Sequence, residues 1–303
     1  MRIAISGASG LLGGNLAYLG AQAGHEVLAA YNAHEVKVPG CRMRSLDLLK
    51  GDITSELDAH RPECVVHAAA WADVDGCERD QALAHALNVE ATRRVADYCQ
   101  KRGLRLIFIS TDSVFDGKKA MHTEEEKPAP LNYYAQTKAE AEDIVRALPS
   151  HAVVRTNFYG FNLRKKNSFS EWLQAKLGAG EPITGFTDFY FSPLPANNLA
   201  GALLELAGLD WSGTLHVAGD GRLNKYEFAL KFADIMGLDR GLISPGKMSD
   251  NPALAAPRPS DCSLDITKAK KMIKSRLPGI EEGIQTYKTL LESGYAQKMR
   301  AGT

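Results

Sequence analysis

A short apolar strand, Ile3-Ala4-Ile5-Ser6, runs directly into Gly7-Ala8-Ser9-Gly10-Leu11-Leu12-Gly13 and then into an apolar stretch of helix length. No other part of the chain restricts the fold as strongly. Glycine is required where the backbone turns tightly or must approach another group closely. Gly7 therefore marks a tight turn, Gly10 an approach of the backbone to a ligand, and Gly13 close packing of the new helix on its strand. A helix starting here would aim its N-terminal N–H groups at a phosphate. The G-x-x-G-x-x-G spacing is a weak signal alone; the strand before it and the helix after it make it a dinucleotide site. Residues 3 to 24 carry no charge, which also suits a secretory signal. Gly7, Gly10, Gly13, Gly14 and Gly20, with Ser6, Ser9, Asn15 and Gln22, break up the continuous apolar segment that a signal would need.

The chain has 303 residues, 45% of them hydrophobic, enough for a large core and two lobes. Lys plus Arg number 36 and Asp plus Glu 36, so no overall field favours nucleic acid or an anionic membrane. No run of 18 apolar residues occurs, and a cytoplasmic protein is expected. Cys41, Cys64, Cys77, Cys99 and Cys262 lie far apart without a C-x-x-C pair, which fits reduced thiols and no metal site.

Strand-like runs at His25 to Ala30, Cys64 to Ala69, Leu104 to Ser110 and Ala152 to Arg155 alternate with helix-length stretches, the pattern of parallel βαβ units. Leu83, Leu87, Ala91, Val95 and Tyr98 recur at helical spacing, predicting one helix from Gln81 to Arg102 that stops at Gly103. A second helix is expected from Tyr133 to Leu148. Strands apolar throughout imply burial on both faces, hence a doubly wound parallel α/β sheet of the Rossmann kind. Beyond Arg155 the loops Gly178 to Pro182, Phe189 to Pro195 and the Pro-rich stretch Asn251 to Pro259 suggest a smaller C-terminal substrate lobe. Thr214 to Val217 would return to the sheet. The expected division is a dinucleotide-binding domain at 1–155, with a return segment at about 190–218, and a substrate lobe at 156–189 and 219–303.

Tyr134-Ala135-Gln136-Thr137-Lys138 puts a phenol and an ammonium four residues apart, on one helix face. A nearby cation lowers an acidic group's pKa by about 1–3 units, so Lys138 is expected to acidify Tyr134. The third element is Ile109-Ser110-Thr111-Asp112-Ser113-Val114-Phe115-Asp116-Gly117, a strand ending in hydroxyls where α/β proteins bind ligands. In this order the glycine turn, the run His67 to Ala70, S-T-D-x-V-F-x-G and Y-x-x-x-K resemble an extended short-chain dehydrogenase/reductase. Within that superfamily the chain resembles the dTDP-4-dehydrorhamnose reductase family. Supporting segments are Ala68 to Asp75 with Glu78, Pro130 to Tyr134, Arg155-Thr156, and Arg258-Pro259-Ser260-Asp261 leading to Leu264-Asp265.

The resemblance implies that Tyr134 protonates the sugar oxygen while a nicotinamide delivers hydride. Lys138 would tune the phenol and bind the nicotinamide ribose, and Thr111 would hold the reacting oxygen. Gly7, Ser9, Gly10, Leu11, Leu12 and Gly13 would carry the dinucleotide, with Asp47 and Leu48 beside the adenine and Ala68, Ala69 and Ala70 along the strand end. Ser113 and Phe158 stand where those reductases often carry Tyr and Trp against the sugar. Arg258 and the run Arg164-Lys165-Lys166 are candidate cations for a nucleotide sugar, although a short basic run is more often a solvated face. Phe189-Tyr190-Phe191-Ser192-Pro193 replaces a Gln and a Gly of the family, either changing the sugar or nucleotide or simply packing the core.

Ala30-Tyr31-Asn32-Ala33-His34, after the second strand, offers no acid for a ribose 2′-hydroxyl, which favours NADP(H) over NAD(H), with Lys37, Arg42 or Arg44 as unplaced cations. The expected partners are a nucleotide-sugar substrate and a second copy in a homodimer. The chain also resembles the regulatory beta subunit of methionine adenosyltransferase, so a non-catalytic NADP-binding subunit is a rival reading. A nucleotide-sugar epimerase or dehydratase is the other.

Overall fold

Seven parallel strands form the centre of the molecule: β1 (Arg2–Ser6), β2 (Glu26–Tyr31), β3 (Arg42–Ser45), β4 (Cys64–His67), β5 (Arg105–Ile109), β6 (His151–Arg155) and β7 (Gly213–His216). The structure is a computed structural model describing residues 1–164, 167–251 and 253–301. The strand order is β7-β6-β5-β4-β1-β2-β3. Ser6 is in register with Ala30 on one side and His67 on the other. The chain winds outward from β1 through β2 to β3, then crosses back to β4, so the carboxyl ends of β1 and β4 flank the reversal point where doubly wound sheets open a crevice.

The uninterrupted hydrophobicity of the strands is explained by two buried layers. Ile3, Ile5, Val27, Val66, Ile107 and Val154 pack on one face with Leu12, Leu16, Leu199 and Leu203 of the helices Leu11–Gln22 and Ala196–Ala207. Ala4, Leu28, Val65, Leu106, Phe108 and Val153 pack on the other with Val95, Tyr98, Ala141 and Val145 of the helices Ala91–Arg102 and Tyr133–Arg146. Successive side chains point to opposite faces and both faces are covered, so the sequence shows no alternation. Gly103 ends its helix in the left-handed conformation at φ +63°.

Two sequence expectations are corrected. The helix from Gln81 to Arg102 is not one regular helix: Gln81–His85 passes through a π turn at Ala86–Glu90 before Ala91–Arg102 resumes. The helix expected to reach Leu148 ends at Arg146. β3 is an additional strand: as an edge strand, Arg42-Met43-Arg44-Ser45, it lacks the apolar content by which inner strands are recognised. After β6 the chain builds short pairings around helices Phe169–Gly178, Lys225–Met236 and Ile280–Glu292, with Tyr159, Phe161, Phe228, Phe232 and Tyr287 clustered between them. All five cysteines are free. No helix among the described residues is long and apolar enough to cross a membrane.

Candidate active site

In the turn after β1, two of the three spaced glycines stand where no side chain fits. Gly7 adopts φ +75°, and a Cβ there would lie 2.6 Å from the Ala69 nitrogen. At Gly13 a Cβ would lie 2.2 Å from the Gly7 oxygen. Gly10 opens the helix Leu11–Gln22 with no side-chain cap, so the first-turn N–H groups keep their hydrogen-bonding capacity for something else. They face a cavity of about 900 Å³ whose wall includes Gly7, Ser9, Gly10, Leu11, Leu12 and Gly13. A glycine-lined cradle below an uncapped helix end suits a diphosphate. Gly13→Ala is expected to cost about 1–3 kcal/mol of stability by overpacking and to weaken dinucleotide binding. Denaturant midpoints and dinucleotide titration check the two effects separately.

The same cavity is lined by Ala30 to His34, Leu46 to Leu49 and Ala68 to Asp73, so Asp47 and Leu48 after β3 and Ala68, Ala69 and Ala70 after β4 border it on either side of the β1 turn. Asp47 accepts hydrogen bonds from the Leu49 and Lys50 amides at 2.8 and 3.1 Å, shaping the loop it sits in. Arg94 steadies that loop from behind by donating to the Leu48 and Gly51 carbonyls. None of the suggested cations Lys37, Arg42 and Arg44 lines the cavity. Arg42 donates to the Ala59 carbonyl and Arg44 pairs with Glu56 at 3.2 Å, because the edge strand turns both outward. Arg164 does line the cavity; Lys165 and Lys166 lie outside the described residues.

At the far end of the cavity stand Ser110, Tyr134, Lys138 and Phe158. Asn132 caps the helix Tyr133–Arg146, accepting from the Ala135 amide and donating to the Pro257 carbonyl, while the Tyr133 amide donates to Glu78. Tyr134 is thereby held in the first turn with Lys138 one turn on. Thr111 follows β5, accepts from the Ser113 amide at 3.1 Å and lies close enough to the Tyr134 phenol to lower its pKa.

The expected acidification of Tyr134 by Lys138 is not what this geometry produces. Tyr134 keeps partial solvent contact through the cavity, yet its phenol lies deep enough that burial pushes its pKa well above the ordinary value. Asp112 and Cys77 raise it further, and Thr111 alone lowers it. Lys138 instead donates to the Ile109 carbonyl at 2.8 Å and rests 3.9 Å from the Phe108 ring centre. Burial draws its ammonium down to about 7, against the opposing influence of Glu142.

Other contributors were not recognisable from the sequence. Asn88, buried in the π turn, receives the Trp71 amide at 2.7 Å and donates to the Trp71 carbonyl and the Thr137 hydroxyl, fixing the cavity wall against the Tyr134 helix. π turns are frequent at functional sites, but no residue pattern announces this one. Asp112 is 2% exposed. Burial raises its carboxyl to about 6 despite hydrogen bonds from Asn157, Thr111 and Ser113.

A second cavity, of about 690 Å³, is lined by Ser113, Arg258 and Phe189 among others. Val74 borders it, and the preceding Asp73 borders the first cavity. Phe158 lies on the first cavity rather than this one. Arg258 is bound to Asp75 at 2.8 Å and to the Ala256 carbonyl. The aromatic run divides: Phe189 faces the second cavity, Phe191 is buried, and Tyr190 lies against the Arg222 guanidinium.

A parallel sheet with a glycine cradle at its reversal point, and Thr, Tyr and Lys gathered at its carboxyl edge, defines an NAD(P)-dependent oxidoreductase of the Rossmann class. The chain belongs to the RmlD substrate binding domain family, whose profile matches residues 1–292. A probable low-salt glycan biosynthesis reductase of Haloferax volcanii is 31% identical, over 92% of this chain and 95% of that one. The methionine adenosyltransferase 2 subunit beta of Pongo abelii is also 31% identical, over 93% and 87%. Among solved structures, a dTDP-4-dehydrorhamnose reductase of Bacillus anthracis in complex with NADP superposes with a TM-score of 0.80 at 26% identity, covering 95% of this chain and 98% of that one.

Proposed function

We propose that the chain is an NADP(H)-dependent reductase of a 4-keto-6-deoxy nucleotide sugar, with Tyr134 as the proton donor. The observation that carries this reading is that Tyr134 and Lys138 line a cavity whose wall also includes the glycine cradle, with Thr111 beside the phenol. The B. anthracis relative holds NADP, and the end of β2 carries no acid to repel a 2′-phosphate.

The dinucleotide, held by Gly7 to Gly13 with Asp47, Leu48 and Ala68 to Ala70 alongside, would supply the hydride. Tyr134 donates the proton to the substrate oxygen. Its raised pKa keeps it protonated through the neutral range, the form a donor needs. Thr111 stands beside the phenol, and its proton, held by Asp112 at 3.1 Å in the free protein, would turn to the substrate oxygen as negative charge grows there. Lys138 provides a short-range positive charge beside the phenol's helix turn and a donor for the ribose. Ser113, Phe158 and Arg258 border the sugar and its nucleotide. Residues 1–155, with the return segment at about 190–218, serve the dinucleotide, and 156–189 with 219–303 serve the substrate. The reading includes a cytoplasmic location and a homodimer.

Because Lys138 titrates near 7, its charge is present below that value and lost above it. Dinucleotide affinity of the free protein is therefore expected to weaken as pH rises through about 7, and Lys138→Met is expected to flatten that dependence. Fluorescence titrations with NADPH across the range check it.

The rival reading, a regulatory NADP-binding subunit, is favoured by the subunit beta relative at the same identity as the reductase of H. volcanii. A regulator has no chemical need for Thr111, Tyr134 and Lys138 together. NADPH consumption with a 4-keto-6-deoxy nucleotide sugar supports the reductase; tight NADPH binding without turnover on any nucleotide sugar supports the regulator. Retention of NAD through dialysis would instead support an epimerase or dehydratase.

A further inference from the structure

Three cations reach the wall of the second cavity, Lys176, Lys225 and Arg258, and no carboxylate among the described residues lines it. Two are already neutralised: Lys176 pairs with Glu181, and Arg258 with Asp75 at 2.8 Å. Lys225 has no ion pair and no side-chain hydrogen bond among the described residues. Its ammonium lies 4.1 Å from the ring centre of Phe169, 3.8 Å from that of Phe191 and 5.5 Å from that of Phe189. Ring faces attract an ammonium but accept none of its three N–H bonds in the manner of an oxygen. Asp112, the carboxylate whose charge acts on it, spends its oxygens on Asn157, Thr111 and Ser113 at 2.8, 3.1 and 3.3 Å.

Lys225 is partly exposed to the cavity, and an ammonium packed among rings with no oxygen partner from the described residues is ready for a ligand that brings one. Burial draws Lys225 down to about 8, with Asp112 and Cys262 opposing. The cavity's size is within the range that small-ligand sites occupy, and Ser113 on its wall directly follows the Thr111-Asp112 pair at the end of β5.

We propose that Lys225 receives an oxyanion of the diphosphate of the nucleotide-sugar substrate. The inference rests on the reductase reading, but it concerns binding alone and is separable from turnover. The aromatic cage holds the ammonium in place before the ligand arrives, so the charge is pre-positioned and the cavity discriminates against neutral ligands.

Calorimetric titration of the full chain at fixed ionic strength tests this, using dTDP- and UDP-linked glucose, the corresponding glucuronates, and the free nucleoside diphosphates. Lys225→Met is expected to weaken binding by about 10- to 100-fold, the scale of a charge-assisted hydrogen bond, with Lys225→Arg restoring most of it. Equal losses for diphosphates, glucosides and glucuronates support the diphosphate as the anion; a loss confined to glucuronates overturns that assignment. Lys225→Gln replaces the Met variant if thermal unfolding shows that variant to be misfolded. Neutral variants binding every ligand within about twofold of wild type overturn the role of Lys225 and leave the reductase reading standing. Wild-type protein that binds none of these ligands overturns both.

Discussion

Replacing Tyr134 by Phe is expected to lower reductive turnover by about 10²- to 10⁴-fold, the usual contribution of a positioned proton donor, while NADPH binding stays within a few-fold of wild type. The substitution removes one oxygen and leaves the ring, the helix turn capped by Asn132 and the glycine cradle untouched. The Thr111 hydroxyl loses its contact with the phenol but keeps the Ser113 amide and Asp112, so local structure persists. Steady-state NADPH oxidation measured beside NADPH titration separates the two quantities. Equal losses in both would mean that Tyr134 serves binding rather than proton transfer.

Glu142→Gln is expected to destabilise the fold by about 3–5 kcal/mol, the scale for removing one partner of a buried ion pair, and a large part of the stability a typical domain has. Glu142 is fully buried and accepts from the Arg155 guanidinium at 2.8 and 2.9 Å, from Arg146 at 2.8 Å and from the Ser110 hydroxyl at 2.6 Å. The variant keeps the side chain's shape but leaves Arg155, itself 1% exposed, as an uncompensated buried cation. Burial alone would raise the Glu142 carboxyl; Arg155, Ser110 and Arg146 outweigh it and hold it below its ordinary range. The stabilisation is therefore complete above the unfolded-state value of about 4.5 and is lost as pH falls through the lower folded-state value. Urea unfolding at neutral pH should show the full difference between wild type and variant, and the difference should narrow on acidification below about 4.5. Because Ser110 lines the first cavity, the same network ties the end of β5 to the helix bearing Lys138.

The legible part of the fold was the part whose physics is local. Gly7 and Gly13 stand where a Cβ would strike backbone, so their spacing carries the turn directly. The inner strands were legible because burial on both faces leaves an unbroken apolar run, and Tyr134 and Lys138 because helical spacing alone brings them together. β3 was hidden because an exposed edge strand needs no apolar side chains. The π turn was hidden because it adds one residue to a helical turn without altering composition, and Asn88 is placed by that extra residue. Lys138 illustrates the limit of spacing arguments: the helix puts the ammonium near the phenol, but the carbonyl of Ile109 and the ring of Phe108, from a different strand, decide where it points. Glu142 pairs with Arg155 across 13 residues and Lys225 gathers rings from two separate segments, relations that only the tertiary fold creates.

The most direct measurement is a crystal structure of the protein with NADPH bound. The account predicts the diphosphate on the amides that open the Leu11–Gln22 helix, the adenine beside Asp47 and Leu48, and the nicotinamide end of the molecule next to Tyr134 and Lys138. A dinucleotide lying in the opposite direction, or one excluded from the glycine cradle, would contradict it.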